Sequence, residues 1–303
     1  MAKVIIESAV TGSRLPTESP YLPIAPDEIA EHIVASWQAG AAIAHYHVRD
    51  PKTGQPAVSV PLFREVATKV KERCDVVLCF AIEGSANHTI EERLGVVRDC
   101  QVEMAAISMG PKLSPAFQLL KEYEEFENPW EREYLERSYK GYDHFTYEIM
   151  ETYGRTMAKY GTKPAIEIFD TLDIDSVVWM LNEGIVNRPL YLQFVLGIGV
   201  RLTMDYVVNL YNTAREKFGD FHFAVAGTGE EQMSIVGVSL ALGGHARVGM
   251  EDAVKNARGE YVKSSAEQVA AAVKIIEGMG LEVATPDDAR EILGLKGLDK
   301  VNF

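Results

Sequence analysis

The feature that most constrains this chain is a rhythm. Short runs rich in Val, Ile and Ala recur eight times along 303 residues, and amphipathic segments fill the gaps. The runs read as strands at 4–10, 41–48, 76–82, 104–109, 163–169, 190–196, 221–227 and 245–250. The segment 26–40 has the polarity of a helix, with Pro26 and two acids at its start and Gly40 at its end. Comparable segments lie at 59–74, 89–100, 174–184, 203–219, 230–244 and 264–280. Strands that alternate with helices pair in parallel through right-handed crossovers, and eight such units most often close into a barrel. The expected fold is thus α/β, a single (β/α)8 TIM-barrel domain over 1–303. An open doubly wound sheet is the alternative, but it usually carries a Gly-rich fingerprint after its first strand. Here that stretch reads TGSRLPTESP, which is not one.

The segment 111–162 breaks the rhythm, because a single crossover helix does not need so many residues. It is expected to be an extended helical insert between the fourth and fifth strands. It holds seven of the 13 tyrosines. Inserts of this kind serve as lids, as subunit contacts or simply as extra surface helices.

Composition narrows the function classes. Apolar residues make up 47% of the chain, enough for a large core, yet no run is long enough to span a bilayer. The opening MAKVIIESAV turns polar too soon for a secretory signal, so a cytoplasmic protein is expected. A formal charge of −14 argues against nucleic acid as a partner, since phosphate binding needs a basic face. Cys74, Cys79 and Cys100 show neither disulfide nor zinc-knuckle spacing.

Active sites of such barrels lie where the strands end. The second strand end offers His45, His47, Arg49 and Asp50, and the third offers Glu83 and Ser85. The fourth to sixth offer Ser108, Glu167, Asp170 and Gln193. The last two offer Thr228, Glu230, Arg247, Glu251 and Asp252. Residues two apart in a strand share a face, so His45 and His47 can hold one ion between them. The eighth strand closes against the first, which brings Glu251 within reach as a third ligand. Two imidazoles, a carboxylate and one open position make a catalytic zinc set. The competing view is an ordinary strand end with two satisfied histidines. Arg247, Glu251 and Asp252 fit either a proton-relaying pair or a salt bridge closing the barrel rim. Glycines at AVAGTGEEQ (224–232) offer backbone N–H groups for a phosphate, a weak signal alone.

Several stretches together resemble the β-keto acid cleavage enzyme family, typified by the 3-keto-5-aminohexanoate cleavage enzyme. They include AVTGS (9–13), LPIAPDEIA (22–30), AGAAIAHYHVRD (39–50), PAIEIFD (164–170), LYLQFVLGI (190–198), FAVAGTG (223–229) and GGHARVGMED (243–252). The resemblance runs nearly end to end. It implies a (β/α)8 barrel with one Zn2+ per chain that converts a β-keto acid and acetyl-CoA, its co-substrate, into acetoacetate and a new CoA ester. It also implies a homo-oligomer. By the same resemblance His45, His47 and Glu251 are the metal ligands. Arg247 and Asp252 are the pair that removes the substrate proton, and Glu167 is a pocket glutamate. Arg14, Glu83, Ser85, Ser108, Gly227 and Gly229 fall at substrate-binding positions.

Departures from the family pattern are concentrated in the substrate pocket. Arg14 stands where the typical member has a glutamate, which points to an anionic substrate tail. Ala81, Ile82 and Glu83 replace small hydroxylated residues and glycine, and Ala106 stands where threonine is frequent. A CoA-independent metal-dependent hydrolase or lyase, such as an aldolase or decarboxylase acting on a small keto acid or lactone, explains the same residues. A barrel with a purely structural zinc fits less well, because closed structural sites use four protein ligands.

Overall fold

Runs of β-branched and small apolar residues form strands because both their faces are covered, one by helices and one by the barrel interior. The structure, a computed structural model, describes residues 3–83, 88–111, 113–141, 145–198 and 202–303. Its eight main strands are β1 (Ile6–Ala9), β2 (Ile43–Tyr46), β3 (Val77–Ala81), β4 (Met104–Ser108), β5 (Lys163–Ile168), β6 (Tyr191–Leu196), β7 (His222–Gly227) and β8 (His245–Val248). All neighbours pair in parallel, and β8 pairs with β1 to close the barrel. The TIM-barrel expectation is met.

The crossover helices are α1 (Pro26–Gln38), α2 (Val60–Lys71), α3 (Ile90–Cys100), then, past α4 (Pro129–Lys140), α5 (Tyr147–Lys159). They continue with α6 (Thr171–Asn182), α7 (Met204–Phe218), α8 (Gln232–Ala241), α9 (Ser265–Gly278) and α10 (Pro286–Leu293). Their starts follow from local chemistry. Thr89 accepts the Glu92 N–H while the Glu92 carboxylate accepts the Thr89 N–H, which satisfies two donors at the start of α3. Pro26 opens α1 with its φ already helical.

The two largest apolar clusters among the described residues lie outside and inside the barrel. The outer one packs helices on strands. In it Phe63 of α2 stacks on Phe80 of β3 at 4.7 Å between centroids, with Tyr46 of β2 against both. Burying each such ring is worth about 1.5–3 kcal/mol. The inner cluster fills the lower barrel with Ile43, Val77, Cys79, Met104, Ala165 and Ala224. Ala289 and Leu293 of α10 join it from below, so the last helix plugs the N-terminal end. A fork from Arg290 to the buried Glu103 carboxylate (2.9 and 3.0 Å) ties α10 to the chain entering β4.

The insert between β4 and β5 divides into two parts. α5 packs on α3 and β5 and is the ordinary crossover helix. The additional material is a 3-10 segment, Pro115–Lys121, and α4, which pack on each other.

A histidine pair closes the same end of the barrel between β7 and β8. The backbone N–H of Ile5 donates to His245 Nδ1 at 3.1 Å, so neutral His245 carries its proton on Nε2, 3.3 Å from His222 Nδ1. Burial, reinforced by His222, pushes the His245 imidazole down to about 3. The unfolded chain, with an ordinary histidine, takes up this proton near pH 6.5 while the folded chain does not. The contribution is complete above pH 6.5 and is lost as pH falls toward 3. Between pH 7.5 and 5 this one group removes about 2 kcal/mol of stability. Denaturant titrations at the two pH values check this, with His245→Gln expected to show a smaller loss than the parent.

Candidate metal centre and substrate cavity

β2 and the residue after it read His45-Tyr46-His47, and the alternation sends Tyr46 outward and both histidines inward. His45 Nε2 lies 3.3 Å from Glu251 Oε2, and His47 Nε2 lies 3.6 Å from Glu251 Oε1. The ligand atoms of the three residues all lie within 4.8 Å of one another. Neither nitrogen of His45 and not Glu251 Oε2 has a hydrogen-bond partner among the described residues, although all are buried. Buried polar atoms left in this way are costly unless a cation meets them. Ligands 2.0–2.1 Å from a tetrahedral ion stand about 3.3–3.4 Å apart, so the set fits a zinc-sized ion.

The neighbouring charges are strongly coupled. Arg247 of β8 donates to Asp252 through Nε (3.1 Å) and Nη2 (3.2 Å), to Glu251 through Nη2 (3.0 Å) and to Gln193 through Nη1 (2.5 Å). Burial raises the Asp252 carboxyl, with Glu251 adding to the rise and Arg247 opposing it. Burial would raise Glu251 too, but His45, His47 and Arg247 together hold it well below the ordinary range. Burial lowers His47; burial also acts to lower His45, but the Glu251 and Glu7 carboxylates together raise it.

The backbone that carries these groups is held by two arginines. Arg49, fully buried, donates to the carbonyls of Gly54 (2.7 Å), Thr11 (3.2 Å), Gly12 (2.8 Å) and Arg14 (2.8 Å). Arg14 donates to the Glu251 carbonyl (2.8 Å), the Asp252 carbonyl (2.6 Å) and the Glu18 carboxylate (2.8 Å). Gly12 sits at φ +59°, and a Cβ there would meet Glu251 Cγ at 2.4 Å, so only glycine lets the β1 loop pass under the Glu251 carboxylate.

A cavity of about 650 Å3 opens above these residues. His47, Glu251, Arg247, Glu167, Glu83, Arg14, Thr228 and Gly229 line it, and the insert roofs it with residues of the 3-10 segment and α4 such as Leu119, Tyr134 and Arg137. Glu83 and Glu167 meet at one hydroxyl, Ser108 Oγ, at 2.7 and 3.2 Å. Glu83 also accepts the Ser108 N–H at 3.0 Å. Gly229 donates its N–H to the Asp252 carbonyl at 2.9 Å, which steadies the β8 loop. Gly227 lets α8 approach β7, since a Cβ would fall 2.9 Å from Ile235. Ser85 lies outside the described residues.

Comparison with known proteins decides the family. The model of the β-keto acid cleavage enzymes matches residues 3–295. The chain belongs to the β-keto acid cleavage enzyme family. It is an enzyme of the metal-assisted acyl-transfer and cleavage type. It is 33% identical over 305 residues to the 3,5-dioxohexanoate:acetyl-CoA acetone transferase of Paraburkholderia graminis, covering 99% of this chain and 98% of the relative. It is 30% identical over 300 residues to the 3-keto-5-aminohexanoate cleavage enzyme of Fusobacterium nucleatum, covering 98% and 99%. Among solved structures, the binary complex of ObcA with oxaloacetate superposes with a TM-score of 0.73 at 18% identity, covering 92% of this chain and 68% of that one, a likeness of fold.

Some strand-end candidates serve the scaffold. Asp170 caps α6 and accepts the Tyr206 hydroxyl, and Asp50 accepts the Lys52 and Thr53 N–H groups of its own turn. Glu230 is exposed beyond β7. One buried residue escaped the sequence reading altogether, Glu7 of β1. Its signal was a lone acid within the apolar run VIIESAV. No helix among the described residues is long and apolar enough to cross a membrane.

The Arg49 geometry carries a prediction. Lysine keeps the charge but cannot fork to several carbonyls at once. Arg49→Lys is expected to lower the unfolding free energy by about 2–4 kcal/mol, read from urea titration. A loss under 0.5 kcal/mol would show that the guanidinium does not hold these loops.

Proposed function

We propose that this enzyme cleaves a β-keto acid with acetyl-CoA, giving acetoacetate and a new CoA ester, at a zinc ion held one per chain by His45, His47 and Glu251. The observation that carries this reading is that the ligand set is joined through Arg247 to Asp252, buried behind a cavity that His47, Glu251 and Arg247 line. Two imidazoles and a carboxylate are a donor set suited to zinc with a position left for substrate. A bound zinc supplies a Lewis acid that polarises the keto oxygen and lowers the cost of the enolate charge.

The chain's own residues supply the rest. Asp252 takes the proton between the keto and carboxylate groups, because burial gives its carboxylate more affinity for a proton than an exposed aspartate has. Arg247 fixes its orientation by a two-nitrogen contact. The carbanion attacks the thioester carbonyl and expels CoA thiolate. The thiolate then adds to the original keto carbonyl, and the bond from that carbon to the α carbon breaks. The α carbon takes back the proton from Asp252, giving the new CoA ester and acetoacetate. Glu167, in contact with Ser108, orients the keto acid from the β4–β5 side, Glu83 forms the third-strand wall, and Gly229 lets the CoA ester approach past β7, whereas Gly227 packs against α8. Arg14 lines the cavity, and the N–H groups left over from its three protein contacts can meet an anionic tail.

One observation favours the second reading, a CoA-independent hydrolase or lyase. The insert covers the cavity, and Glu83 with Ala81 and Ala106 form a wall ill suited to a carboxylate. A cytoplasmic homo-oligomer completes the proposal. The exposed Leu113, Tyr139 and Tyr147 of the insert supply apolar surface for the contact.

The test is direct. Zinc-loaded protein is offered acetyl-CoA with a panel of β-keto acids, and new CoA esters are sought by mass spectrometry. An ester from at least one acid is expected, and zinc-loaded protein that yields none favours the CoA-free reading. His47→Ala is expected to lose zinc, by elemental analysis, together with turnover. Asp252→Asn is expected to retain zinc and lose about 10²–10⁴-fold in kcat. Full activity in Asp252→Asn would remove the base from the mechanism.

A further inference from the structure

Glu7 is a carboxylate with no water to face. It lies mid-strand in β1, at 0% exposure, opposite Arg247 of β8 in the strand register. Such a charge persists only if donors or positive charge surround it. Two donors are in place. Tyr191 Oη donates to Glu7 Oε2 at 2.6 Å, and Gln193 Nε2 lies 2.6 Å from both oxygens. Burial, with Glu7 beside it, pushes the Tyr191 phenol well above its ordinary range, so it stays a donor.

The third neighbour is the metal centre. Glu7 Oε1 lies 3.8 Å from His45 Nδ1, the ring nitrogen that faces away from Glu251. That is too long for a hydrogen bond, but a buried carboxylate at this distance attracts the N–H dipole strongly. It favours the tautomer with hydrogen on Nδ1, which leaves the Nε2 lone pair pointing at Glu251 and the ion site. Carboxylates that orient a ligating imidazole in this way also raise its basicity as a ligand.

The other arm runs through Gln193. Its NH2 faces Glu7, so its carbonyl oxygen must face Arg247 Nη1, 2.5 Å away. That contact turns Nε and Nη2 of Arg247 toward Asp252 and Glu251. We propose that Glu7 is a positioning residue that sets, from beneath the cavity, both the tautomer of His45 and the orientation of Arg247. The proposal rests on the reading of His45 as a metal ligand.

Glu7, His45 and Cys79 also bring three ligand atoms within 4.8 Å, so a second ion at that level is the rival account. The test separates the possibilities. Metal-stripped parent, Glu7→Gln and Glu7→Asp are titrated with zinc against a competing chelator, and the His45 tautomer is read by 15N NMR of the metal-free imidazoles. Gln keeps the shape of Glu and removes its charge, whereas Asp keeps the charge and changes the shape.

The expected result is one equivalent of zinc in all three proteins. Zinc Kd rises about 10–100-fold in Glu7→Gln. The His45 proton moves toward Nε2 in that variant, and Glu7→Asp lies closer to the parent in both readouts. Equal Kd and unchanged tautomer in Glu7→Gln overturn the proposal, as does a larger effect of Asp than of Gln, which would mark a packing role. Two equivalents in the parent and one in Glu7→Gln overturn it in favour of a second ion. A parent that binds no zinc removes the metal reading itself, a failure distinct from the others.

Discussion

The structure is organised around a buried charge imbalance. Glu7, Glu251 and Asp252 gather about a single guanidinium, that of Arg247, in the upper barrel. With Glu167 3.9 Å from the same guanidinium, carboxylates outnumber the one cation in a region where desolvation is expensive. The imbalance also sets the ordering of the carboxyls, with Asp252 raised and Glu251 lowered within one contact network. A divalent ion between the two histidines and Glu251 would offset that excess. The proposed metal would thus serve the packing as well as the chemistry.

The barrel frame makes this grouping possible. Parallel pairing places Arg247 level with Glu7, and Ala9 level with His45, so residues distant in sequence share one layer. Small side chains at Ala9, Ala81 and Ala106 leave room there for the charged ones. Arg49 and Arg14 then secure the loops from outside by binding main-chain carbonyls, so the backbone rather than side-chain packing fixes Glu251 and Asp252. This division lets the cavity wall vary while the metal-facing residues stay in place.

Much of this was legible in the sequence. The eight apolar runs located all barrel strands, although the run at 41–48 divides into Ile43–Tyr46 and a separate short strand at Val48–Arg49. The pattern of His45 and His47 with Glu251 followed from strand periodicity and barrel closure. The insert was visible as excess length, but its split into an ordinary crossover helix, α5, and a roof was not, because both parts are amphipathic. Arg49 read as possible chemistry and instead braces carbonyls, since a guanidinium at a strand end gives no sign of whether its partners are substrate or backbone. Glu7 stayed hidden because its partners, Tyr191, Gln193 and His45, are assembled only by closure of the barrel.

The most direct test of the account is an anomalous-diffraction map from crystals of the zinc-loaded protein, collected on both sides of the zinc edge. The account expects one zinc peak per chain, lying between His45 Nε2, His47 Nε2 and the Glu251 carboxylate. A peak elsewhere, or none at this position, would contradict it.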